Sequence, residues 1–376
     1  MAGRGGDPGR PGHTLGRVRS RLIWSTGVLV GVWLLLVVVR GVRASASWSS
    51  IAPYVYAPLM IVAGGVVGAW VLRRHGARVP AVVVLVTGAY VAVSALLTDN
   101  PGRGTIGYAN ANAALAVQLI ALAGLLTLVP SARRLAWGGV GVGGVALAAN
   151  SSAGATAAAA VVLVALALAS VLPRARRRWP AVVASLLICG AAVLTLMQLA
   201  RRVAWPEAVL SGLDPVRRSL WNEAWVMFRR ASTLGFGPGG LAQSTPLARD
   251  ADTMSAHSLP LQVAAELGSV GLVLLTLLFL CGLWWAAAPP SVPAAWIALA
   301  AWTALAAHAF MDHLIEFWPV PLAAGLVLGA AWGLSAGGSR SSAELGAVSP
   351  GRPGVRHGAH RAESGTPGRP GDTGLL

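Results

Sequence analysis

The sequence predicts an all-α, polytopic membrane protein, and an apolar composition together with repeated apolar runs indicates it. Of the 376 residues, 55% are hydrophobic and 11% are charged, and the mean hydropathy is +0.66. A soluble domain carries roughly twice that charged fraction. Runs of about 20 apolar residues, the length that crosses a bilayer, recur along the chain. We place about ten spans at residues 22–39, 55–72, 79–98, 112–129, 135–150, 153–172, 180–199, 259–285, 293–311 and 317–336.

The fifth span, residues 135–150, is the weakest because it is short and rich in glycine. It is either a separate span or one arm of a tight hairpin with the sixth, and the chain crosses the membrane twice in both cases. The two cysteines, Cys189 and Cys281, lie inside apolar runs. We therefore expect them to be packing residues rather than a disulfide or a metal pair.

The two ends of the chain differ in composition from the transmembrane domain, residues 22–336. Residues 1–21 and 337–376 are rich in Gly, Pro, Arg and Ser, and such segments bury too little apolar surface to fold. We predict two disordered cytoplasmic tails. We expect no cleavable signal peptide, because the first apolar run is long enough to span and no small-residue cleavage site clearly follows it.

The basic residues predict how the chain is oriented in the membrane. The net charge is +16, from 29 Lys+Arg against 13 Asp+Glu, and every basic residue is an arginine. The arginines concentrate in the tails and in the second, fourth and sixth connections, as the positive-inside rule requires of cytoplasmic segments. The charge therefore indicates contact with a lipid bilayer and no nucleic-acid partner. With ten spans, both termini are cytoplasmic in a multi-pass protein of the cytoplasmic membrane.

One connection is much longer than the others. Residues 200–258, between the seventh and eighth spans, form an extracytoplasmic loop by the span count, and loops of this length are usually functional. Trp221, Ala224, Trp225 and Phe228 recur at three- and four-residue spacing, which predicts an amphipathic helix. Two interpretations of its arginines stay open: the helix lies in the lipid headgroup layer, or one or two guanidinium groups bind a phosphate.

A glycine-rich segment, Gly235–Gly240, follows this helix. It lacks the Lys-Ser/Thr ending of a phosphate-binding P-loop and does not follow a strand, so we interpret it as a tight turn that returns the chain to the membrane.

The eighth span carries a polar stripe. Ser258 and Pro260 are typical of a helix start, which puts His257 just outside the helix. Polar residues then follow on one face, and such a face lies against a cavity or other helices rather than lipid. Gly268 and Gly271 permit close approach of a neighbouring backbone. The stripe comprises Ser258, Gln262, Glu266 and Ser269.

Two further polar sets fall on the same predicted side of the membrane. The ninth span ends with His308, Asp312 and Glu316 at four-residue spacing and with His313 alongside; this set is either a helix end that pairs its own charges or part of a site. The other set precedes the fourth span and comprises Asp99, Asn100, Arg103, Tyr108, Asn110 and Asn112. A metal site is not predicted, because only His308 and Asp312 have suitable spacing.

The motifs together resemble the O-antigen ligase and O-antigen polymerase family of bacterial membrane glycosyltransferases. The ligase motif of that family is His, then Asn, Ser or Gln, nine residues, Gly, two residues, and Gly, Thr or Tyr. His257, Ser258, Gly268 and Gly271 satisfy every fixed position. The resemblance covers about residues 100–335.

The upstream loop is similar to a second pattern of the family, in which an Arg and a Trp precede a Gly-x-Gly. The matching residues are Arg218, Trp221, Ala224, Gly235 and Gly237. One segment departs from the family: Ser152-Ala153-Gly154 stands where members often have Ser-Arg-Gly. Any phosphate contact of that arginine would have to pass to other arginines of this chain.

The resemblance implies transfer of a glycan from a polyprenyl diphosphate carrier to a sugar hydroxyl, at the outer face of the membrane and without a metal or cofactor. The chemistry of the residues is compatible with this reaction, and we hypothesise that His257 is the base or the acceptor-orienting group, since histidine titrates near working pH. Arg217 and Arg218 would hold the diphosphate, with Arg201 and Arg202 in reserve. Glu266 would support the site. The expected substrate-binding residues are Arg201, Arg202, Trp221, Ser258, Asn110, Asn112, His308 and Asp312.

Other classes of membrane protein stay open. A transporter or flippase of lipid-linked glycans also suits ten spans, although the sequence lacks a clear internal repeat and its polar groups gather on one side. A peptidoglycan glycosyltransferase also has many spans and a large outer loop, but the ligase-like histidine motif argues against it. A non-catalytic scaffold is a weaker alternative.

Overall fold

In a computed structural model of the chain, residues 12–98, 104–172, 177–202, 204–210, 215–246 and 253–347 are described. The regular elements within these ranges are helices, together with a short 3₁₀ turn at Leu314–Glu316. The helices are α1 (Gly12–Arg43), α2 (Trp48–His75), α3 (Arg78–Leu97), α4 (Ala109–Thr127), α5 (Arg133–Ala149), α6 (Ala153–Val171), α7 (Trp179–Arg201), α8 (Glu207–Leu210), α9 (Pro215–Arg230), α10 (Gly240–Ser244), α11 (Leu259–Ala287), α12 (Val292–Ala309) and α13 (Pro319–Ala347).

The all-α, polytopic prediction is confirmed. Each of the ten predicted spans falls on a helix, and eight of these helices are long and apolar enough to cross a membrane. The remaining two are α5, which has 17 residues, and α13, whose apolar part is Pro319–Leu334. The exact number of crossings therefore stays a prediction.

The two ends of the domain differ from the predicted boundaries. The first helix begins at Gly12, inside the segment 1–21 that the sequence predicts to be disordered. The last helix continues to Ala347, past the predicted boundary at 336. The described residues from 12 to 337 belong to one compact unit; the described part of the second unit, residues 338–347, is helical. The predictions for residues 1–11 and 348–376 lie outside the described residues.

The α4 helix is the centre of the bundle, because every residue from Ala111 to Thr127 is buried. It packs against α3, α5, α6 and α12. Its side chains are mostly Ala and Leu, and a helix that is apolar all round suits the interior of a membrane bundle as well as contact with lipid. The outer helices α1, α3 and α7 expose many Val and Leu side chains, as lipid-facing surfaces do.

The first part of the bundle is joined to its last helix by glycine packing. A Cβ on Gly64 of α2 would lie 2.3 Å from the carbonyl oxygen of Leu322, and a Cβ on Gly329 of α13 would lie 2.1 Å from the carbonyl oxygen of Gly65. Larger residues cannot occupy these positions without separating the helices. Small residues are the usual means by which membrane helices pack closely.

Side-chain hydrogen bonds show which connections meet at each end of the bundle. Arg78 donates to the carbonyl of Ser131 at 3.1 Å, and Arg178 donates to that of Ala287 at 2.8 Å. These contacts join arginine-rich connections at one end. At the other end, which we call the loop face, residues 204–210, 215–246 and 253–258 lie against connections 44–47, 104–108 and 310–318. The gathering of polar sets on one end, which the sequence predicts, is thus confirmed for the described residues.

The amphipathic helix of the long loop is present as α9. Its buried side is formed by Leu220, Trp221, Ala224 and Met227, at helical spacing. It packs against α7 and α11, so protein rather than headgroups covers this side. Arg229 and Arg230 at its end are exposed.

The α11 helix is broken inside its apolar run. Gly268 has φ 67° and ψ −162°, so the helical hydrogen bonds are interrupted there. The segment after α9 supplies replacements: the amides of Ser269 and Val270 donate to the carbonyls of Ser232 and Thr233 at 2.7 and 3.2 Å. An unpaired backbone group in an apolar region costs several kcal/mol, on the order of a lost hydrogen bond or more. Loop and helix therefore stabilise each other.

The glycine-rich segment confirms the tight-turn interpretation. Gly235, Gly237 and Gly239 have φ of 64°, 95° and 78°, which favour glycine. The amide of Gly237 donates to the carbonyl of Glu266 at 2.7 Å. A Cβ on Gly235 would lie 2.3 Å from the Glu266 carbonyl carbon. The Gly237 amide is therefore bonded to α11 and does not face a phosphate site.

Candidate functional site

A buried carboxylate, Asp312, is the centre of a polar cluster on the loop face. It lies in the connection between α12 and α13 and is 1% exposed. The Tyr108 hydroxyl donates to its two oxygens at 2.9 and 3.0 Å, and Asn110 Nδ2 donates at 2.6 Å. Arg217 Nη2 is 3.3 Å from Oδ2, and the backbone amide of His313 donates to Oδ1 at 2.8 Å. Asp312 thereby joins α4, α9 and the α12–α13 connection.

Two histidine rings complete this cluster. His313 Nδ1 lies 2.9 Å from Asp312 Oδ1, and His257 Nδ1 lies 3.6 Å from the same oxygen. The ring centroids of the two histidines are 4.4 Å apart and their planes are nearly perpendicular. The Tyr108 hydroxyl is 3.4 Å from His257 Nδ1. We call Tyr108, Asn110, Arg217, His257, Asp312 and His313 the Asp312 cluster.

The electrostatics of the Asp312 cluster favour an ionised carboxylate. Burial favours the neutral acid, but the rings of His257 and His313 and the Arg217 guanidinium more than offset it and hold the pKa of Asp312 well below its ordinary value. Burial alone would lower the pKa of His313, yet Asp312 and Glu316 raise it above its ordinary value. Burial, and then the charge on Asp312, raises the pKa of Tyr108, so its hydroxyl keeps its proton and donates.

His257 is held by an unusual backbone. Its φ is 47°, in the left-handed region that few residues other than glycine adopt. Ser258 follows in an extended conformation as the N-cap of α11, and its carbonyl accepts the amide of Gln262 at 2.9 Å. The chain therefore turns sharply just before the helix. This turn directs the ring of His257 toward Asp312.

A second polar network lies behind this turn, around the fully buried Glu266. Its carboxylate accepts from the Tyr54 hydroxyl at 2.7 Å, from Gln262 Nε2 at 2.7 Å and from the amide of Leu241 at 3.3 Å. Gln262 Oε1 accepts the amide of Ala256 at 2.6 Å. The sequence analysis did not identify Tyr54, whose hydroxyl directly before the second predicted span is the signal that could have marked it.

The sequence-predicted residues divide into those that meet and those that do not. His257, Arg217, Asn110 and Asp312 come together in the Asp312 cluster. His308 is buried beside it, where a Cβ on Gly154 would lie 3.4 Å from His308 Nε2. This contact brings the segment that departs from the Ser-Arg-Gly pattern to the edge of the cluster.

Several predicted residues lie elsewhere. Trp221 is fully buried against Trp205, with ring centroids 5.1 Å apart. The Asn112 side chain accepts the amide of Ile106 at 3.2 Å and fastens the turn before α4. Both positions favour packing over contact with a substrate.

The remaining arginines sit nearer the surface. Arg201 and Arg202 are exposed at the end of α7, and the guanidinium of Arg201 lies 5.0 Å from the Trp225 ring centroid. Arg218 is half-buried, and no hydrogen bond or ion pair of its side chain is found within the described ranges. Ser258 is fully buried, and among the described residues its hydroxyl has no hydrogen-bond partner. Asp99, Asn100 and Arg103 lie outside the described residues.

The Asp312 cluster also contains the atoms of a possible metal site. His257, Asp312 and His313 each offer one ligand atom, and these atoms lie within 4.8 Å of one another. The sequence did not predict this set, because His257 is distant in the chain from the other two. The carboxylate of Asp312 also contacts Arg217, Tyr108 and Asn110.

An apolar cavity of about 590 Å³ lies beside the Asp312 cluster. Its walls come from α1, α2, α11, α12 and α13, and it extends from Tyr54 at the loop face to Arg73 at the arginine-rich end. Leu259 and Leu314 line it, and each is within two residues of a histidine of the cluster. The polar cluster therefore stands at the loop-face end of a long apolar space.

Comparison with known proteins gives one family. Residues 138–276 match the model of the O-antigen ligase family, which supports the resemblance seen in the motifs. The match includes Arg217 and His257, whereas Tyr108, Asn110 and Asp312 lie outside it. A comparison with curated proteins finds no match to the chain. The family match implies ligase- or polymerase-type glycan transfer in polysaccharide biosynthesis.

Proposed function

We propose that this multi-pass membrane protein, which carries an O-antigen ligase family domain over residues 138–276, transfers or polymerises a polyprenyl-diphosphate-linked glycan onto a sugar hydroxyl. The reaction takes place at the outer face of the cytoplasmic membrane. It serves the synthesis of a surface polysaccharide. The donor glycan, the acceptor glycan and the bilayer are its partners.

The observation that carries this proposal is the meeting of His257 and Arg217 on one carboxylate, Asp312. His257 comes from the ligase motif, Arg217 from the long loop, and Asp312 from a distant connection. A base held by an orienting carboxylate is the usual arrangement for activating a hydroxyl. The same cluster holds a guanidinium, the group best suited to bind phosphate oxygens.

The chemistry is a displacement at the anomeric carbon of the donor. The acceptor hydroxyl oxygen forms the new bond, the bond to the diphosphate oxygen breaks, and the hydroxyl proton passes to the ring of His257. The polyprenyl diphosphate leaves with the bonding electron pair. Asp312 orients the ring and stabilises its positive charge, as the carboxylate does in other base–carboxylate pairs.

The arginines stabilise the leaving diphosphate. Arg217 uses one nitrogen on Asp312 and another on the Met311 carbonyl, and a guanidinium has five N–H donors. Arg218, the next residue of α9, is half-buried and adds a second guanidinium on the loop face. Fixed positive groups at a developing negative charge are commonly the largest contribution to catalysis. Arg201 and Arg202 would meet the incoming diphosphate.

The apolar cavity suits the lipid of the donor. Its walls are apolar through most of the bundle, and its loop-face end reaches residues adjacent to His257 and His313. A polyprenyl chain in this space would present its diphosphate to the Asp312 cluster. We propose that both termini are cytoplasmic, so that the loop face is extracytoplasmic; the arginine-rich connections at the opposite end support this.

The test is transfer by the purified protein in liposomes, with a polyprenyl-diphosphate-linked oligosaccharide as donor and a glycan acceptor. The His257→Ala variant should lose activity by about 100-fold or more, the range of a general base. His75→Ala is the matched control, because His75 is exposed at the opposite end of the bundle. Full activity of His257→Ala, at wild-type protein level, would refute the assignment.

The same preparation separates the transferase from a transporter or flippase. A transferase releases polyprenyl diphosphate and extends the acceptor, whereas a flippase moves intact donor between leaflets. The polar residues of the Asp312 cluster lie at one end of the bundle rather than at its middle, which favours the transferase. Movement of donor without new glycosidic bonds would favour the alternative.

A further inference from the structure

We propose that Gln262 is a positioning residue for His257 and that Glu266 acts on His257 through it. This inference rests on the proposed function for its kinetic consequence, but its structural part stands on geometry alone. Neither residue is in the Asp312 cluster, and Glu266 is fully buried behind the turn that carries His257.

The side chain of Gln262 contacts the turn that carries His257. Gln262 lies one helical turn inside α11, and its side chain reaches back past the helix start to accept the amide of Ala256 at 2.6 Å. Ala256 is the residue before His257 and is itself fully buried. Without this acceptor the buried amide would be left unpaired, which destabilises this conformation of the turn. The contact therefore fixes the backbone where His257 begins.

The two partners of the Gln262 side-chain amide fix which end is oxygen and which is nitrogen. A glutamine side chain can be turned over, exchanging its oxygen and nitrogen. Here Ala256 N can only donate, and Glu266 Oε1 accepts from Gln262 Nε2 at 2.7 Å. Only one orientation satisfies both partners. Glu266 is in turn fixed by the Tyr54 hydroxyl and the Leu241 amide.

The backbone of His257 adopts a left-handed conformation. Its φ of 47° is unfavourable for a residue with a side chain, so the surrounding contacts must hold it there. Relaxation to a negative φ would rotate the ring away from Asp312 and His313. Two described side-chain contacts resist this rotation: the Gln262–Ala256 hydrogen bond at 2.6 Å, and a longer one at 3.5 Å in which the Ser255 hydroxyl accepts the amide of His257.

The polar stripe of α11 continues into the apolar run because its members hold the turn that carries His257. Gln262 and Glu266 are one and two turns beyond Ser258, and they form a chain of hydrogen bonds from α2 and α10 to the turn. Glu266 also accepts the amide of Gly237 with its backbone carbonyl. Glu266 thereby contacts the glycine-rich turn directly and the histidine turn through Gln262.

The kinetic test uses Gln262→Met, which keeps the length of the side chain and removes both hydrogen bonds. We expect kcat to fall by about 10- to 100-fold, as misplacement of a catalytic group by about 1 Å does, with KM for the donor changed by less than about twofold. In a His257→Ala background the same change should have no further effect, because Gln262 acts through His257. A Gln262→Met loss that persists there would overturn the proposal.

The structural test is hydrogen exchange of the peptide spanning residues 253–258. Gln262→Met should expose the Ala256 amide to exchange, whereas Gln118→Met, a buried glutamine that bonds the Ala301 carbonyl on α12, should leave that peptide protected. Unchanged protection in Gln262→Met would also overturn the proposal. Full activity of His257→Ala would refute the proposed role of His257 instead, and the exchange result would still stand.

The conservative exchange at Glu266 gives the third measurement. Glu266→Gln keeps an oxygen that can accept from Gln262, and Glu266→Met does not. We expect the loss of kcat to be several-fold smaller for Glu266→Gln than for Glu266→Met. Equal losses with normal exchange at Ala256 would mean that Glu266 does not act through Gln262.

Discussion

Gly268 and Thr233 meet backbone to backbone inside the apolar run of α11. A Cβ at 268 would lie 2.4 Å from both the carbonyl carbon and the oxygen of Thr233. The glycine of the ligase-like motif is thus required by a chain segment inserted from the long loop. The motif glycine and the loop are one structural unit.

Replacement of Gly268 by alanine should therefore destabilise the protein. The positive φ costs about 1–2 kcal/mol for alanine, and the clash with Thr233 adds to it. We expect a fall of several degrees in the unfolding temperature in detergent, with faster hydrogen exchange in residues 231–237. Gly190→Ala, in an open part of α7, should instead leave stability equal or raised, by up to about 1 kcal/mol. Equal unfolding temperatures for the two variants would contradict this interpretation.

Loss of the Arg217 guanidinium should impair both stability and transfer. Arg217→Ala removes the guanidinium that pairs with the buried Asp312, and breaking such a pair costs on the order of 3 kcal/mol. Arg217→Lys restores the charge but not two simultaneous contacts, so we expect only partial recovery of activity. Transfer rates and unfolding temperature are the measurements. Arg229→Ala is the control, because Arg229 is an exposed arginine of the same helix, and it should change activity and stability little. A comparable loss in Arg229→Ala would mean that the overall positive charge of the helix, rather than the Arg217–Asp312 contact, is responsible.

Ionisation of His313 should make stability depend on pH. Its pKa in the folded protein is above the ordinary value of 6.5, so the stabilisation from its charge is complete below pH 6.5 and is lost as the pH rises through the raised pKa. The pKa of Asp312 is depressed, so its contribution is lost only in strong acid. The unfolding temperature of wild type should exceed that of His313→Gln most clearly below pH 6.5. A gap that widens toward alkaline pH would contradict the His313–Asp312 pairing.

Removal of divalent metal should leave transfer unchanged. A cation bound by His257, Asp312 and His313 would stand next to the Arg217 guanidinium on the same carboxylate, and like charges at this distance repel. Activity should persist after exhaustive treatment with a chelator. Loss of activity that one added divalent cation restores, together with metal content in the purified protein, would instead identify these three residues as ligands.

The predicted orientation can be tested with cysteines placed at the two ends of the bundle. Arg229→Cys is on the loop face and His75→Cys is on the arginine-rich end, and both positions are exposed. A membrane-impermeant maleimide should label the first in intact cells and the second only after lysis. Cys189 and Cys281 lie in apolar helices, so the protein without a new cysteine should not be labelled and serves as the control. Labelling in the reverse order would overturn the assignment of an extracytoplasmic loop face.

Local patterns predicted the helices well, because length and apolar composition are local properties. The break at Gly268 was not predictable in this way: residues 259–285 read as one apolar run, and the groups that satisfy the interrupted helix come from residues 232 and 233. The spacing of His308, Asp312 and Glu316 suggested a helical face. The α12 helix ends at Ala309, so Asp312 lies in the following connection instead.

The candidate site was partly predictable. His257, Arg217, Asn110 and Asp312 are polar residues next to apolar runs, and that position alone marked them. Their convergence on one carboxylate depends on the packing of α4, α9 and the α12–α13 connection, which no local pattern contains. Trp221 shows the opposite case, since an aromatic residue in an arginine-rich loop resembles a binding residue but fills the core.

The glycine packing of α2 against α13 has a consequence for biosynthesis. Two walls of the apolar cavity come from the first two helices and another from the last, so the cavity does not exist until residues near 330 have left the ribosome. Until then, the early helices lie in the bilayer with one side exposed to lipid. A chain that stops before α13 would therefore be inserted in the membrane but have no enclosed place for a lipid carrier, even though it would retain every residue of the Asp312 cluster.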